Sequence, residues 1–226
     1  VREYREEGYL PAALLNYLVR LGWSHGDQEI FSMAEMISLF DISAVNQSAS
    51  AFNAEKLRWI NQQHILATAP ADLGPLLLPY FERLGLDPAA GPDPVRLASG
   101  FHERADTLLH MVASARYCYE DFEQLDAKSA KKHLRPVVLE PLQRVRERFA
   151  ALGDWDAAGI QDVIHATAGD FDISLGKLGQ PIRVAVTGGP VSPPIDVTLD
   201  LVGQGRSLER LDKAIEFVEE RAAAGA

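Results

Sequence analysis

The sequence predicts an all-α fold, on three observations. Apolar residues recur at helical spacing in separated stretches, such as Leu14, Leu15, Leu18 and Leu21, or Leu208, Leu211, Ile215 and Val218. Side chains that start helices stand ahead of such stretches, as Ser32, Asn53 and Ser207 do. Glycine and proline then end them, at Gly22, Pro70 and Gly85.

Taken in order, Tyr9-Leu10-Pro11 opens a helix with Pro11 at the permitted first position. Ser32-Met33-Ala34-Glu35 is a capping box ahead of Met36, Ile37 and Phe40. Asp41 to Phe52, with Asn46, Ser48 and Ser50, is small and polar and predicts a connection. Asn53 caps a helix with Leu57 and Ile60 inward and Lys56 and Arg58 outward. Thr68-Ala69-Pro70 marks a first boundary. Pro75, Leu76 to Leu78, Phe81 and Leu84 predict a buried helix closed by Gly85, and Asp87 to Pro94 a loop. A short helix over Val95 to Ser99 and a longer one over Glu103 to Tyr119 follow, the second carrying Ala105, Leu108, Leu109, Val112 and Ala115 on one side.

Acidic Asp121 to Asp126 ends the middle segment. A basic stretch comes next, Lys128, Lys131, Lys132, Arg135, Arg144, Arg146 and Arg148 against Glu140 and Glu147; its plain reading is a solvated helix face. Trp155 and Asp156 start a helix through Ile160 and Ile164, and Ser207 caps the last one, whose tail frays from Arg221. One region is ambiguous. Ile182 to Val186 and Ile195 to Leu201 alternate at period two, which alone reads as strands. Helices on both sides, and the weakness of two isolated strands, favour helices there too.

Between those runs lies a stiff loop, Gly188-Gly189-Pro190 and then Ser192-Pro193-Pro194-Ile195. Paired prolines have few conformations to lose on binding, so this loop suits a flat partner such as an unstacked base. The plainer alternative is a structural turn with a buried stem at Arg183.

Composition bounds the function. With 47% hydrophobic and 24% charged residues, 226 residues bury a real core. The net charge of −10 argues against a general nucleic-acid coat or an anionic membrane surface, and leaves room for a local basic face. No apolar run approaches about 20 residues, so no membrane span is expected. Cys118 is the only cysteine, which excludes an intrachain disulfide and fits a reducing cytoplasm. The start at Val1-Arg2-Glu3, without an initiator Met or a signal peptide, predicts a piece of something longer.

Catalytic chemistry is hard to find. There is no P-loop, no G-x-S-x-G elbow, and only a partial glycine motif at Gly203-Gln204-Gly205. No histidine pair stands at i, i+4, so no metal site is expected. His102 and His110 could share one helix side. Carboxylates are too numerous to name an acid/base pair. Local chemistry alone predicts a helical binding module.

Several motifs together carry a resemblance. Gly8-Tyr9-Leu10-Pro11, Ala13 to Leu18 and Leu21-Gly22-Trp23-Ser24 form one block, and Phe52-Asn53, Lys56-Leu57, Trp59 and Asn61 a second. Lys131 to Pro136 and Gly179 to Gly188 are two more, and Leu201-Val202-Gly203 with Arg206-Ser207 and Glu209-Arg210 is a looser last one. In order and spacing they resemble the bacterial glutamyl-tRNA synthetases over essentially the whole chain. The resemblance implies a multi-helix stem-contact domain at 1–68, followed by an α-helical anticodon-binding bundle, or helix cage, in two subdomains at 69–122 and 123–226. The parent would join glutamate to its tRNA with ATP and magnesium. The two ATP signatures, a His-Ile-Gly-His-like motif and a Lys-Met-Ser-Lys-like loop, are not in this sequence. This part is therefore expected to hold no catalytic residue and no cofactor and to be inactive alone, its partners being the glutamate tRNA and an N-terminal catalytic domain of the same chain, in a cytoplasmic monomer.

The resemblance also implies roles. Arg104, in Glu103-Arg104-Ala105-Asp106-Thr107-Leu108, matches the reader of the third anticodon base, and an arginine there is the pattern of discriminating enzymes. Arg183, Ser192, Pro193, Pro194 and Ile195 match the region that packs on the anticodon loop. Lys56 and Arg58 match a block near the tRNA stem, and Lys131, Lys132 and Arg135 are expected on phosphates. Two alternatives stand beside this reading: a non-catalytic helical module of the same fold that binds RNA or protein, and a ligase of relaxed specificity.

Overall fold

In the computed structural model, residues 2–46 and 51–224 are described. Ser48 and Ser50 of the expected polar connection lie outside them, as do Val1 and the last two residues of the tail. Thirteen α-helices and four short 3-10 turns make up the described structure, which contains no β-strand; His25 and Gln28 form an isolated bridge. By packing the chain forms two compact units, Val1–Leu86 with Asp93–Ala115, and Asp87–Pro92 with Arg116–Ala226.

The first unit holds α1 (Arg2–Glu6), α2 (Pro11–Arg20), α3 (Met33–Leu39), α4 (Ala54–Ala67), α5 (Pro70–Leu84), α6 (Pro94–Phe101) and α7 (Leu108–Ser114). The expected starts are present. Pro11 opens α2, Ser32 and Glu35 close a reciprocal capping box on α3, and the Asn53 side chain accepts the Lys56 N–H at the head of α4.

Two buried asparagines tie this unit together. Asn16 accepts from the Phe31 N–H at 2.9 Å and donates to the Glu29 carbonyl at 2.9 Å. Asn61 accepts from the Leu10 N–H at 2.8 Å and donates to the Asp106 carbonyl at 2.5 Å. Asn61 thereby joins α4 to segments on either side of it, within the unit that holds Val1–Leu86 and Asp93–Ala115. Gly8, at φ +89°, completes the joint: its carbonyl accepts the Leu108 N–H at 2.9 Å, and a Cβ there would sit 2.4 Å from the Leu109 nitrogen.

Two local expectations change here. The helix expected over Glu103 to Tyr119 is a turn, then α7, then a 3-10 turn at Arg116–Cys118. The Thr107 hydroxyl accepts the His110 N–H and starts the helix late, while Asn61 draws the Asp106 carbonyl away from it. His102 consequently follows the end of α6, while His110 lies on α7. In α5, Leu73, Leu77 and Phe81 are buried, whereas Leu76 and Leu78 are about half exposed, because three consecutive helical positions cannot all face one core.

The second unit holds α8 (Ala127–His133), α9 (Leu139–Ala151), α10 (Ala157–Asp170), α11 (Leu175–Thr187), α12 (Ile195–Val202) and α13 (Gln204–Ala224). Asp126 and Asp156 cap α8 and α10. Both period-two runs are helical. Ile182, Val184, Ala185 and Val186 are all buried, since α11 packs against α8, α9, α10, α12 and α13. A helix enclosed on that many sides shows no apolar stripe, which is why its pattern imitates a strand. Ser207 does not cap α13. The helix begins three residues earlier, after Gly203 at φ +86°, and Ser207 is buried inside it with a hydroxyl that finds no hydrogen-bond partner among the described residues.

Candidate nucleic-acid interface

The loop between α11 and α12 is folded from within. Gly188, at φ +76°, ends α11 in the left-handed region that favours glycine. The Arg183 guanidinium reaches the loop from the preceding turn of helix and donates to the Ser192 carbonyl at 3.1 Å, the Pro193 carbonyl at 2.6 Å and the Ser192 hydroxyl. The Ser192 and Thr198 hydroxyls meet at 2.8 Å, and Thr198 also donates to the Pro193 carbonyl at 3.1 Å. Ser192 and Pro193 are buried, Ile195 is half-buried at the head of α12, and Val191 and Pro194 face solvent. Arg183 therefore braces the loop, and the surface on offer is Val191 and Pro194.

A second arginine supports this arrangement from below. Arg210, 4% exposed, donates to the carbonyls of Tyr117 at 2.9 Å, Val186 at 2.6 Å and Glu120 at 2.9 Å, and to Asp121 at 2.8 Å. That hydrogen-bonded guanidinium holds the Asp121 carboxyl below its ordinary range. Arg206 caps the same segment by donating to the Cys118 carbonyl. Tyr117 is buried, and burial raises its pKa. Cys118 is likewise pushed up to about 12 by burial, so it is an inert core thiol.

Arg104 stands on the turn between α6 and α7 in the first unit. Its side chain is exposed and makes no hydrogen bond or ion pair with any described residue. Arg58 pairs with Asp106, two residues along the same turn, at 3.5 Å. Lys56 meets Glu29 at 2.5 Å and lies 4.0 Å from the centre of the Trp59 ring. The Lys56 hydrogen bond lowers the pKa of Glu29. Both pairs are solvent-accessible, so they are weak and a phosphate can displace the carboxylate.

Lys131, Lys132 and Arg135 are exposed on α8 and the turn after it, with no ion pair to a described residue. They share the second unit with the braced loop; Lys56, Arg58 and Arg104 belong to the first. Sequence reasoning missed Tyr117, Thr198 and Arg210. Tyr117 lay hidden inside a helix drawn too long. Arg210 bonds residues 93 positions away, which no local pattern encodes.

The residues present do not fit ATP or magnesium. Neither nucleotide signature occurs in the chain, and no cluster of three or more His, Cys, Asp or Glu side chains able to hold a metal ion occurs among the described residues. No helix of the described residues is long and apolar enough to cross a membrane.

Comparison with known proteins bears on this geometry. Residues 72–215 match the family model described as "Anticodon binding domain", and residues 1–59 match "tRNA synthetases class I (E and Q), catalytic domain". Over 221 residues the chain is 52% identical to glutamate–tRNA ligase 1 of Nitrosococcus oceani, which covers 98% of this chain and 47% of that protein. Two solved structures are similar. A glutamate tRNA ligase of Elizabethkingia meningosepticum, in complex with its amino acid, superposes with a TM-score of 0.85 at 30% identity, over 95% of this chain and 43% of its own. The glutamate-tRNA synthetase of Elizabethkingia anophelis gives 0.81 at 30% identity, over 94% and 42%. The chain thus spans about half the length of the relatives it matches.

Proposed function

The chain belongs to the glutamate–tRNA ligase family by its anticodon-binding domain, and from that premise we propose that it is the tRNA-recognition half of such a ligase, of the discriminating type. The parent enzyme attaches glutamate to its tRNA with ATP and magnesium, as a cytoplasmic monomer whose catalytic groups lie in an N-terminal domain. This half supplies recognition and no chemistry. By role it divides into a stem-contact segment at 1–68 and anticodon-binding segments at 69–122 and 123–226.

Arg104 reads the third anticodon base. The observation that carries this reading is its exposed guanidinium, uncommitted to any described partner. A planar donor array with no internal bond to break can present a fixed pattern to the acceptor edge of a pyrimidine. The braced loop supplies the flat surface, with Pro194 and Ile195 against the unstacked anticodon bases and Arg183, Ser192 and Pro193 holding them in place. Lys56 and Arg58 exchange their carboxylates for phosphates of the stem, and Lys131, Lys132 and Arg135 take further phosphates.

The test is binding of this chain to unmodified glutamate tRNA and to a copy with a substituted third anticodon base, across a salt series. The reading expects tighter binding to the correct anticodon and a linear loss of log affinity with log salt. Equal binding to both, or none, would remove specificity from this half.

A further inference from the structure

The second unit contains a cleft beside two of the side chains placed on phosphates above, Lys132 and Arg135. It lies between α8, the 3-10 turn Pro136–Val138 and the first turn of α11, and has a volume of about 250 Å³. Lys132, His133, Arg135 and Lys177 line it, and no carboxylate does, in a protein whose net charge is −10. Lys132, Arg135 and Lys177 are exposed and form no ion pair with any described residue. Burial first, and then the charges of Lys132 and Arg135, lower the pKa of His133.

The floor is apolar, made by Val138, Pro141, Ile173 and Pro181. Gly176 has nothing within 4 Å of where a Cβ would stand, so a ligand can approach the α11 backbone closely.

We propose that this cleft seats one unstacked ribonucleotide of the bound tRNA, its phosphate between Lys132, Arg135 and Lys177 and its base on the apolar floor. The proposal rests on the tRNA-binding reading and adds a separate point of contact. Cations without carboxylates select an anion such as a phosphodiester over a neutral or basic peptide, and an apolar floor of prolines and β-branched residues favours a base over a bare anion. The cleft admits one nucleotide and not a duplex. Lys177 and the braced loop sit at opposite ends of α11, about 15 Å apart along its axis, so the seat takes a different nucleotide from those at Pro194.

Two probes separate this proposal from the reading it rests on. The first is the unmodified anticodon hairpin of glutamate tRNA, titrated into the wild-type chain and into Lys177→Ala and Arg135→Ala. Both side chains are exposed, and thermal unfolding checks that each variant is folded. Each variant is expected to weaken hairpin binding about threefold to tenfold and to reduce the salt slope by about one, with the preference between anticodons unchanged. Because Arg135 is already placed on a phosphate above, Lys177→Ala decides the seat: wild-type affinity and slope in that variant would overturn it. The second probe is a single-stranded ribodinucleotide, with inorganic phosphate at equal concentration as control, read by the His133 ring resonances. A shift with the dinucleotide beyond that with phosphate supports the seat. Equal shifts reduce it to an anion site and overturn it, as does no shift. A wild-type chain that ignores the hairpin defeats the function proposed above, and the dinucleotide result then decides the seat alone.

Discussion

Arg183 and Arg104 have the same side chain and opposite situations. Arg183 lies in α11 with its guanidinium bonded to two loop carbonyls and a hydroxyl. Arg104 lies on a turn with its guanidinium in solvent and no described partner. The difference teaches how one residue type serves two purposes. A guanidinium bonded to its own chain fixes the shape of what it holds, here Ser192 and Pro193. One whose donors are open offers a pattern to a partner and contributes almost nothing to its own fold. The resemblance that assigned both to the anticodon region did not separate these roles; the hydrogen bonds do.

The largest effect is expected beneath the braced loop. Arg210→Met keeps much of the volume and removes every donor from the carbonyls of Tyr117, Val186 and Glu120. Unpaired buried carbonyls together with the lost Asp121 contact should destabilise the second unit by about 3–5 kcal/mol, measured as a shift of the urea midpoint. A loss below about 1 kcal/mol would mean that water replaces the guanidinium and that Arg210 supports nothing above it.

The two arginines themselves give the next pair of variants. Arg183→Lys keeps the charge and loses the planar fork, so it should cost about 1–2 kcal/mol. The Thr198 amide, bonded to the Pro194 carbonyl at 2.8 Å, should exchange faster. Binding to tRNA should weaken alike for every anticodon. Arg104→Gln should leave stability within about 0.5 kcal/mol and lose about 1–3 kcal/mol of third-base discrimination. The contrast breaks if the effects are exchanged, with Arg183→Lys altering which base is preferred and Arg104→Gln unfolding the chain.

The sequence was legible where one side chain acts on its own neighbours. The Ser32–Glu35 capping box, the Asn53 and Asp156 starts and the Gly85 stop are contacts within four residues, and they stand as expected. It was not legible where the partner is distant or the environment uniform. Nothing near Asn61 indicates that it bonds the Asp106 carbonyl 45 residues away, and that bond helps to replace the expected helix start at Glu103 by a turn. Nothing in Ile182 to Val186 says that five helices pack against α11. The site divides in the same way. The stiffness of the Ser192–Ile195 loop follows from its prolines, whereas the Tyr117 and Arg210 beneath it follow only from the assembled fold. The plain reading of Arg183, a structural turn with a buried stem, is the arrangement that its hydrogen bonds make.

The smallest effect concerns a histidine committed to the fold as Arg183 is. His64 lies on α4, 9% exposed, with Nε2 3.0 Å from the Asn16 Oδ1. That oxygen also accepts the Phe31 N–H, so the ring must donate to it. Burial lowers the His64 pKa from the usual 6.5. With the folded-state value below the unfolded one, acidification protonates the unfolded chain first. Stability is therefore retained above about pH 6.5, declines as the pH falls through that value, and levels off below the folded pKa. His64→Gln removes the titrating group while keeping a donor. The difference in Tm between wild type and variant, followed from pH 7.5 to pH 5, should shift steadily in the variant's favour on acidification. His133 titrates in both proteins and cancels in that difference. A difference independent of pH would mean that the Asn16 pocket opens to admit water as His64 charges, and would class this histidine with the open side chain of Arg104 rather than with the committed one of Arg183.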